Sequence, residues 1–363
     1  MTISSDFRSL FKKTTTSYKY LFLKSVLTRA SNGEATLKLN EIITDILVYA
    51  WYPSQFFKLS FGPQDKIASI FKEQSFEYTS SLSITSPHFE NKLREELLAC
   101  IDQTSINRLT TYVQFRILHP FFDEELRGKP DHKKNNMIRE LATTKYEVRK
   151  PLYRIESDKA SIVLHPDWLL YIRSHSYLLL QYLEFQWVDY LQKNNPNVPA
   201  IIYKTSPPQN RDSMSNQKKY WQEYIEASPG AECIYSGDKL IPSDLSIDHF
   251  LPWSYVCHNR IWNLIPTIKQ VNSSKNNSLP DLNRYLAPFT ENQYRALYYH
   301  SRYNSSWEAI ASEVTLDLGL NSKDELLDDV KFEQHLKNTL LSQYEVAKQL
   351  GFSENWYFPR QTK

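Results

Sequence analysis

Cysteine, glycine and long apolar runs are all scarce in this chain, and each scarcity excludes something. The 363 residues contain three cysteines, Cys100, Cys233 and Cys257, and none forms a Cys-x-x-Cys pair. So few thiols cannot build a disulfide framework and point to a reducing compartment, the cytoplasm by default. Seven glycines argue against a Gly-rich nucleotide-binding architecture. The most apolar stretch, 178–183, is interrupted by Gln181 and followed by Glu184 and Asp189. That falls well short of the roughly 20 apolar residues a membrane span requires, so no membrane association is expected. The first residues lack a basic segment followed by an apolar run, so no signal peptide is expected.

Aromatic side chains are abundant: 24 Tyr, 18 Phe and 8 Trp. With 41% hydrophobic and 23% charged residues, the composition excludes a disordered chain and suits packed helices. The net charge of +2 hides an uneven distribution. Residues 1–211 carry 28 Lys and Arg against 22 Asp and Glu, whereas residues 291–363 carry 8 against 11. A basic first half could serve a polyanionic partner, or be ordinary helix surface.

Pattern divides the chain into three parts. Residues 1–211 are expected to form a mainly helical recognition or partner domain. Helical periodicity runs over 36–51 through Leu37, Ile42, Ile43, Ile46, Leu47 and Ala50, and a short hairpin is expected near 152–164. A long helix is expected over 168–192. Its aromatics, Trp168, Tyr171, Tyr177, Tyr182, Phe185, Trp187 and Tyr190, suit a core better than a base-stacking surface. The polar, Pro-containing stretch 205–216 reads as a linker. Residues 212–290 form a module of different character, and residues 291–363 return to helices that are expected to pack on it.

The chemistry sits in that middle module. Asp248-His249-Phe250-Leu251-Pro252 is followed fourteen residues after His249 by Asn263, within Trp262-Asn263-Leu264-Ile265-Pro266. Nine residues further comes Asn272, within Val271-Asn272-Ser273-Ser274-Lys275. Residues 233–235 and 245–250 read as short strands and 267–276 as a short helix. Asp248 and His249 are neighbours, so on a strand their side chains diverge unless the strand ends there. One could then bind a cation while the other handles protons. Asn272 in mid-helix costs propensity and makes sense if its amide has a task. Carboxylate and amide oxygens suit a hard cation, and a neutral imidazole can take a proton from water.

This constellation resembles the HNH endonuclease family over about residues 229–282, in the HNN form also seen in RNA-guided CRISPR effectors. The resemblance implies an α+β fold, predominantly helical, with a small ββα-metal module flanked by helical regions. It also implies a hydrolase cutting DNA phosphodiesters, in a bacterial restriction or antiviral-defence setting. His249 would be the general base and Asn263 would position the loop and His249. Asp248 and Asn272 would bind Mg²⁺ or Mn²⁺. Many family members hold a structural zinc with Cys-x-x-Cys pairs. Here Ser236 stands where the second cysteine would follow Cys233, so no structural zinc is expected and packing by Trp253, Tyr255 and Trp262 takes its place. Lys275, Lys133, Lys134, Arg149 and Lys150 are candidate phosphate contacts; Lys275 could equally be an exposed helix lysine. RNA cleavage and a non-catalytic nucleic-acid or partner-binding role are the alternatives, and a protein partner or homo-oligomer is left open.

Overall fold

The computed structural model describes residues 3–11, 14, 16–78, 82, 84, 86–158, 160–207 and 212–359. The fold is α+β and predominantly helical, with one three-stranded and one two-stranded sheet. It divides into two compact units, residues 1–196 with 201–209, and residues 197–200 with 210–363. No described helix is long and apolar enough to cross a membrane.

The first unit is built around α1 (Tyr18–Ser31). Leu21, Phe22, Leu23, Val26 and Leu27 bury nearly all of its circumference, as a helix enclosed by neighbours must. It lies against α2 (Leu39–Trp51) and α3 (Pro166–Asn194). Asp45, on α2, is 3% exposed and accepts from Ser25 Oγ, Arg29 Nε and Arg94 Nη2, so its buried charge is fully met.

The periodicity beginning at residue 36 is not helical throughout. Thr36–Lys38 is a strand, β1, paired antiparallel with β3 (Ser161–Leu164), which also pairs with β2 (Tyr153–Ile155). The expected 152–164 hairpin is therefore two strands of a three-stranded sheet. Alternation in β3 buries Ile162 and Leu164, and a third strand lets β3 fill both edges with hydrogen bonds.

In α3, Trp168, Trp187 and Tyr190 are core, the last two stacked at 5.6 Å. Tyr177 and Phe185 are instead exposed, so the helix is not uniformly a core element. His175 leaves helical geometry (φ −128°, ψ 17°) and kinks it.

The second unit contains α4 (Ser215–Ala227), β4 (Ser246–His249), β5 (Leu264–Thr267), α5 (Lys269–Lys275), α6 (Leu282–Tyr303), α7 (Trp307–Leu318) and α8 (Asp329–Gln349). Buried Gln293, on α6, donates to the carbonyls of Ile261 and Leu264 and so ties that helix to the start of β5. Beyond α8 the chain returns to the module. Trp356 bridges Pro280, with Trp356 N–H donating to Leu279 O and Asp281 N–H to Trp356 O. The Trp356 ring packs on Tyr235 at 5.3 Å.

His300, on α6, is fully buried and stacked on Tyr220 at 3.8 Å. Asn304 Nδ2 faces its Nδ1 at 3.0 Å and Tyr220 O faces its Nε2 at 2.9 Å. An amide donor on one side and a carbonyl on the other are both satisfied by the neutral Nε2–H tautomer. Burial, chiefly, lowers its pKa. The unfolded chain therefore takes up this proton first as pH falls, so the contribution is complete above pH ~6.5 and declines below it. Urea midpoints at pH 7.5 and 5.5 should fall toward acid, and His300→Gln should reduce the fall. An undiminished fall would contradict this assignment.

Candidate active site

The site begins with a tight turn. Gly237 N–H closes onto Cys233 O and Cys233 N–H onto Asp238 O, both at 2.8 Å. Gly237 has φ +79°, where a side chain would be strained. Residues 233–235 are thus part of a turn rather than the strand expected there. The partner of β4 is β5, with Asp248 opposite Ile265 and His249 opposite Leu264. Leu264 and Ile265, in an all-buried strand, are the better apolar partner. Cys233 Sγ lies 3.1 Å from Thr267 Oγ1 and joins the turn to the hairpin.

Alternation along β4 puts Ser246 and Asp248 on one face and Ile247 and His249 on the other. Helix α5 lies against the first of these. Asn272 Nδ2 donates to Ser246 Oγ (2.8 Å) and Ile247 O (3.1 Å), which turns its Oδ1 away from both acceptors. One helical turn later, Lys275 Nζ lies 3.2 Å and 3.4 Å from the two Asp248 oxygens and 2.6 Å from His249 O. Lys275 has no exposed surface. It is neither the phosphate contact nor the exposed lysine that the sequence suggested: with Val271 it faces inward and neutralises Asp248.

Asp248 is 3% exposed and also accepts from the Tyr235 hydroxyl at 2.8 Å and from the His249 N–H. Burial raises its pKa despite Lys275 and Tyr235, and burial lowers that of Lys275 despite Asp248. Desolvation thus works against both charges, while every donor around Asp248 fits a carboxylate.

Asn263, fully buried, grips one residue with both ends of its amide. Its Oδ1 accepts from Leu251 N–H (2.8 Å) and its Nδ2 donates to Leu251 O (2.9 Å). Its own carbonyl accepts from Phe250 N–H (2.8 Å). These bonds fix the turn directly after His249. The chain then passes through a helical turn, Trp253–Val256, and through Cys257 in the left-handed region (φ +56°). That reversal brings 258–259 back beside His249, whose Nε2 lies 3.2 Å from His258 O and 3.0 Å from Asn259 Oδ1. Asn259 Nδ2 donates to Asp212 O (3.0 Å), which orients Oδ1 toward the ring. Both atoms facing Nε2 are acceptors, so Nε2 carries the proton and Nδ1 is the basic atom.

Trp262 Nε1 donates to Asp317 Oδ2 at 2.9 Å, and the Tyr255 ring meets Phe352 at 6.0 Å. Lys133, Lys134, Arg149 and Lys150 all belong to the first unit. Lys134 pairs with Asp131, Arg149 with Glu124 and Glu125, and Lys150 with Asp167, while Lys133 is exposed. Sequence reasoning missed Tyr235, Ser246 and Asn259. A tyrosine in a turn, a serine opening a strand and an asparagine in a loop gave no signal of which side chain they meet.

Residues 233–281 match a protein family described as HNH endonuclease. No curated protein matches the chain, and no solved structure does.

Nucleases of this family generally use divalent metal ions. The donors on the Asp248 face are oxygens of one carboxylate and one amide, which suit a hard cation. Asp248 is already met by the Tyr235 hydroxyl and, on both oxygens, by the Lys275 ammonium, so a cation held there would have to share the carboxylate with Lys275. Among the described residues no group of three His, Cys, Asp or Glu side chains gathers in metal-binding fashion.

Proposed function

We propose, from the premise that residues 233–281 form an HNH endonuclease segment, that this chain is a metal-dependent endonuclease hydrolysing DNA phosphodiesters. The observation that carries the reading is the arrangement around His249. Two acceptors face Nε2, so Nδ1 is the nitrogen that serves as the base, at the end of β4 next to Asp248.

His249 Nδ1 takes the proton of an attacking water, and the charge that builds on the ring is shared with His258 O and Asn259 Oδ1. Asn263 keeps the ring in place by clamping Leu251. Asp248 and Asn272 are the residues that would hold Mg²⁺ or Mn²⁺. When bound, the ion supplies positive charge to the phosphate and leaving oxygen. Lys275 sets the distance between α5 and β4 by bonding both Asp248 and His249 O. A restriction or antiviral role is the setting suggested by the resemblance.

The test is incubation of the full chain with supercoiled plasmid and, separately, single-stranded RNA, with Mg²⁺ or Mn²⁺ and with or without EDTA. Nicked or linear plasmid is expected with metal and none with chelator. Cleavage of RNA alone would replace the DNA reading. Intact substrates under both metals would remove the enzymatic one.

A further inference from the structure

The first unit holds a cleft of about 1130 Å³. It is lined from several directions: by the helix Ile3–Ser9, by the start of α1, by the region of 108–116, and by the turn ending at Gly128. Its volume is at the upper end of ligand sites, which run to roughly 1,000 Å³.

The lining is unbalanced in charge. Among the described lining residues, Lys19, Arg108, Arg116, Arg127 and Lys134 contribute cations and Asp6 and Asp123 carboxylates. Three of the cations are already met. Arg108 pairs with Glu73, Arg116 makes a two-pronged bond to Asp131, and Lys134 also faces Asp131. Asp123 is taken by His119 at 2.8 Å. Among the described residues Lys19 and Arg127 make no ion pair.

Lys19 is the telling residue. It is half-buried, and burial together with the neighbouring Arg116 guanidinium pushes its pKa down to about 8. A sheltered ammonium beside a second cation, with no ion pair of its own among the described residues, is a costly arrangement that an anionic ligand would relieve. Beside it, Tyr112 is 58% exposed although it lines the cleft, with the Arg116 guanidinium 5.9 Å from its ring centroid. An open aromatic face beside cations suits a nucleobase joined to phosphate.

We propose that this cleft binds a nucleotide phosphate, with Lys19 and Arg127 as the cations that meet it and the Tyr112 ring as the stacking face for its base. The ligand is either a free nucleotide or the phosphorylated end of a strand. The site stands apart from the nuclease reading, because its binding is measured without cleavage.

Titration calorimetry on the full chain in EDTA, with ATP, a 5′-phosphorylated DNA 12-mer and adenosine as probes, tests this. Binding of ATP identifies a free nucleotide and binding of the 12-mer alone identifies a strand end, whereas adenosine should not bind. Loss of one charge-assisted contact predicts about tenfold weaker binding for Lys19→Met and for Arg127→Gln. Arg127 is exposed, so its variant decides if Lys19→Met fails to fold. Unchanged affinity in Arg127→Gln, equal binding of adenosine, or no binding of either phosphate probe would each overturn the proposal.

Discussion

Replacing His249 with alanine is expected to lower plasmid cleavage by about 10²–10⁴-fold, the usual contribution of a positioned general base, while leaving the fold intact. The ring is only half-buried, and its ties include one carbonyl and one side-chain amide of the neighbouring loop. Removing it empties no core cavity. The thermal midpoint should therefore stay close to that of the parent, and binding of uncut DNA in EDTA should be retained. A variant that nicks plasmid at the parent rate would mean that another group activates the water. The companion change Asn259→Ala removes one acceptor from Nε2 without touching the base itself. It should reduce the rate by a smaller factor and leave binding unchanged.

Asp248→Ala should behave quite differently, because it leaves the Lys275 ammonium buried without its counter-charge. Breaking a buried ion pair from one side typically costs about 3–5 kcal/mol, and Lys275 is fully buried with Asp248 3% exposed. Urea denaturation should register a loss of that order for Asp248→Ala, and for Lys275→Met as well, since each strands the other partner. The double variant should recover most of the loss, giving a large coupling energy in the cycle. Cleavage should remain absent in the double variant, because a carboxylate the site needs is still missing. Single variants within about 1 kcal/mol of the parent, the range of exposed pairs, would show that the pair is solvated in solution. Lost activity in Asp248→Ala therefore does not by itself identify a metal ligand, whereas inactivity of the stable double variant shows that the loss is not simply one of folding.

The order of Asp248, His249, Asn263 and Asn272 was legible because those residues sit at fixed spacings around a strand, a turn and a helix. The role of Asn263 as a clamp follows from its place just before β5, opposite the turn after His249. The strand partner was misread. Ile234 and Tyr235 are as β-prone as Leu264 and Ile265, and only long-range packing decides between them. Lys275 was misread for a related reason: in sequence a lysine near a helix end looks solvated, and only the approach of Asp248 makes it an interior residue. The cleft of the first unit was invisible because its lining is gathered from two distant stretches, 6–19 and 108–134. Glycine scarcity argued against loop-based phosphate binding but carried no information about side-chain cations.

The return of the chain to Pro280 has a consequence for biosynthesis. Tyr235, which donates to Asp248, is covered on one side by the ring of Trp356, and the Leu279 and Asp281 N–H groups donate to the carbonyls of Ser353 and Trp356. A nascent polypeptide halted before residue 356 therefore has every signature residue of the nuclease segment but lacks the lid over its carboxylate pocket. Cover over the Tyr235 side of that carboxylate is completed only once the tryptophan has been synthesised.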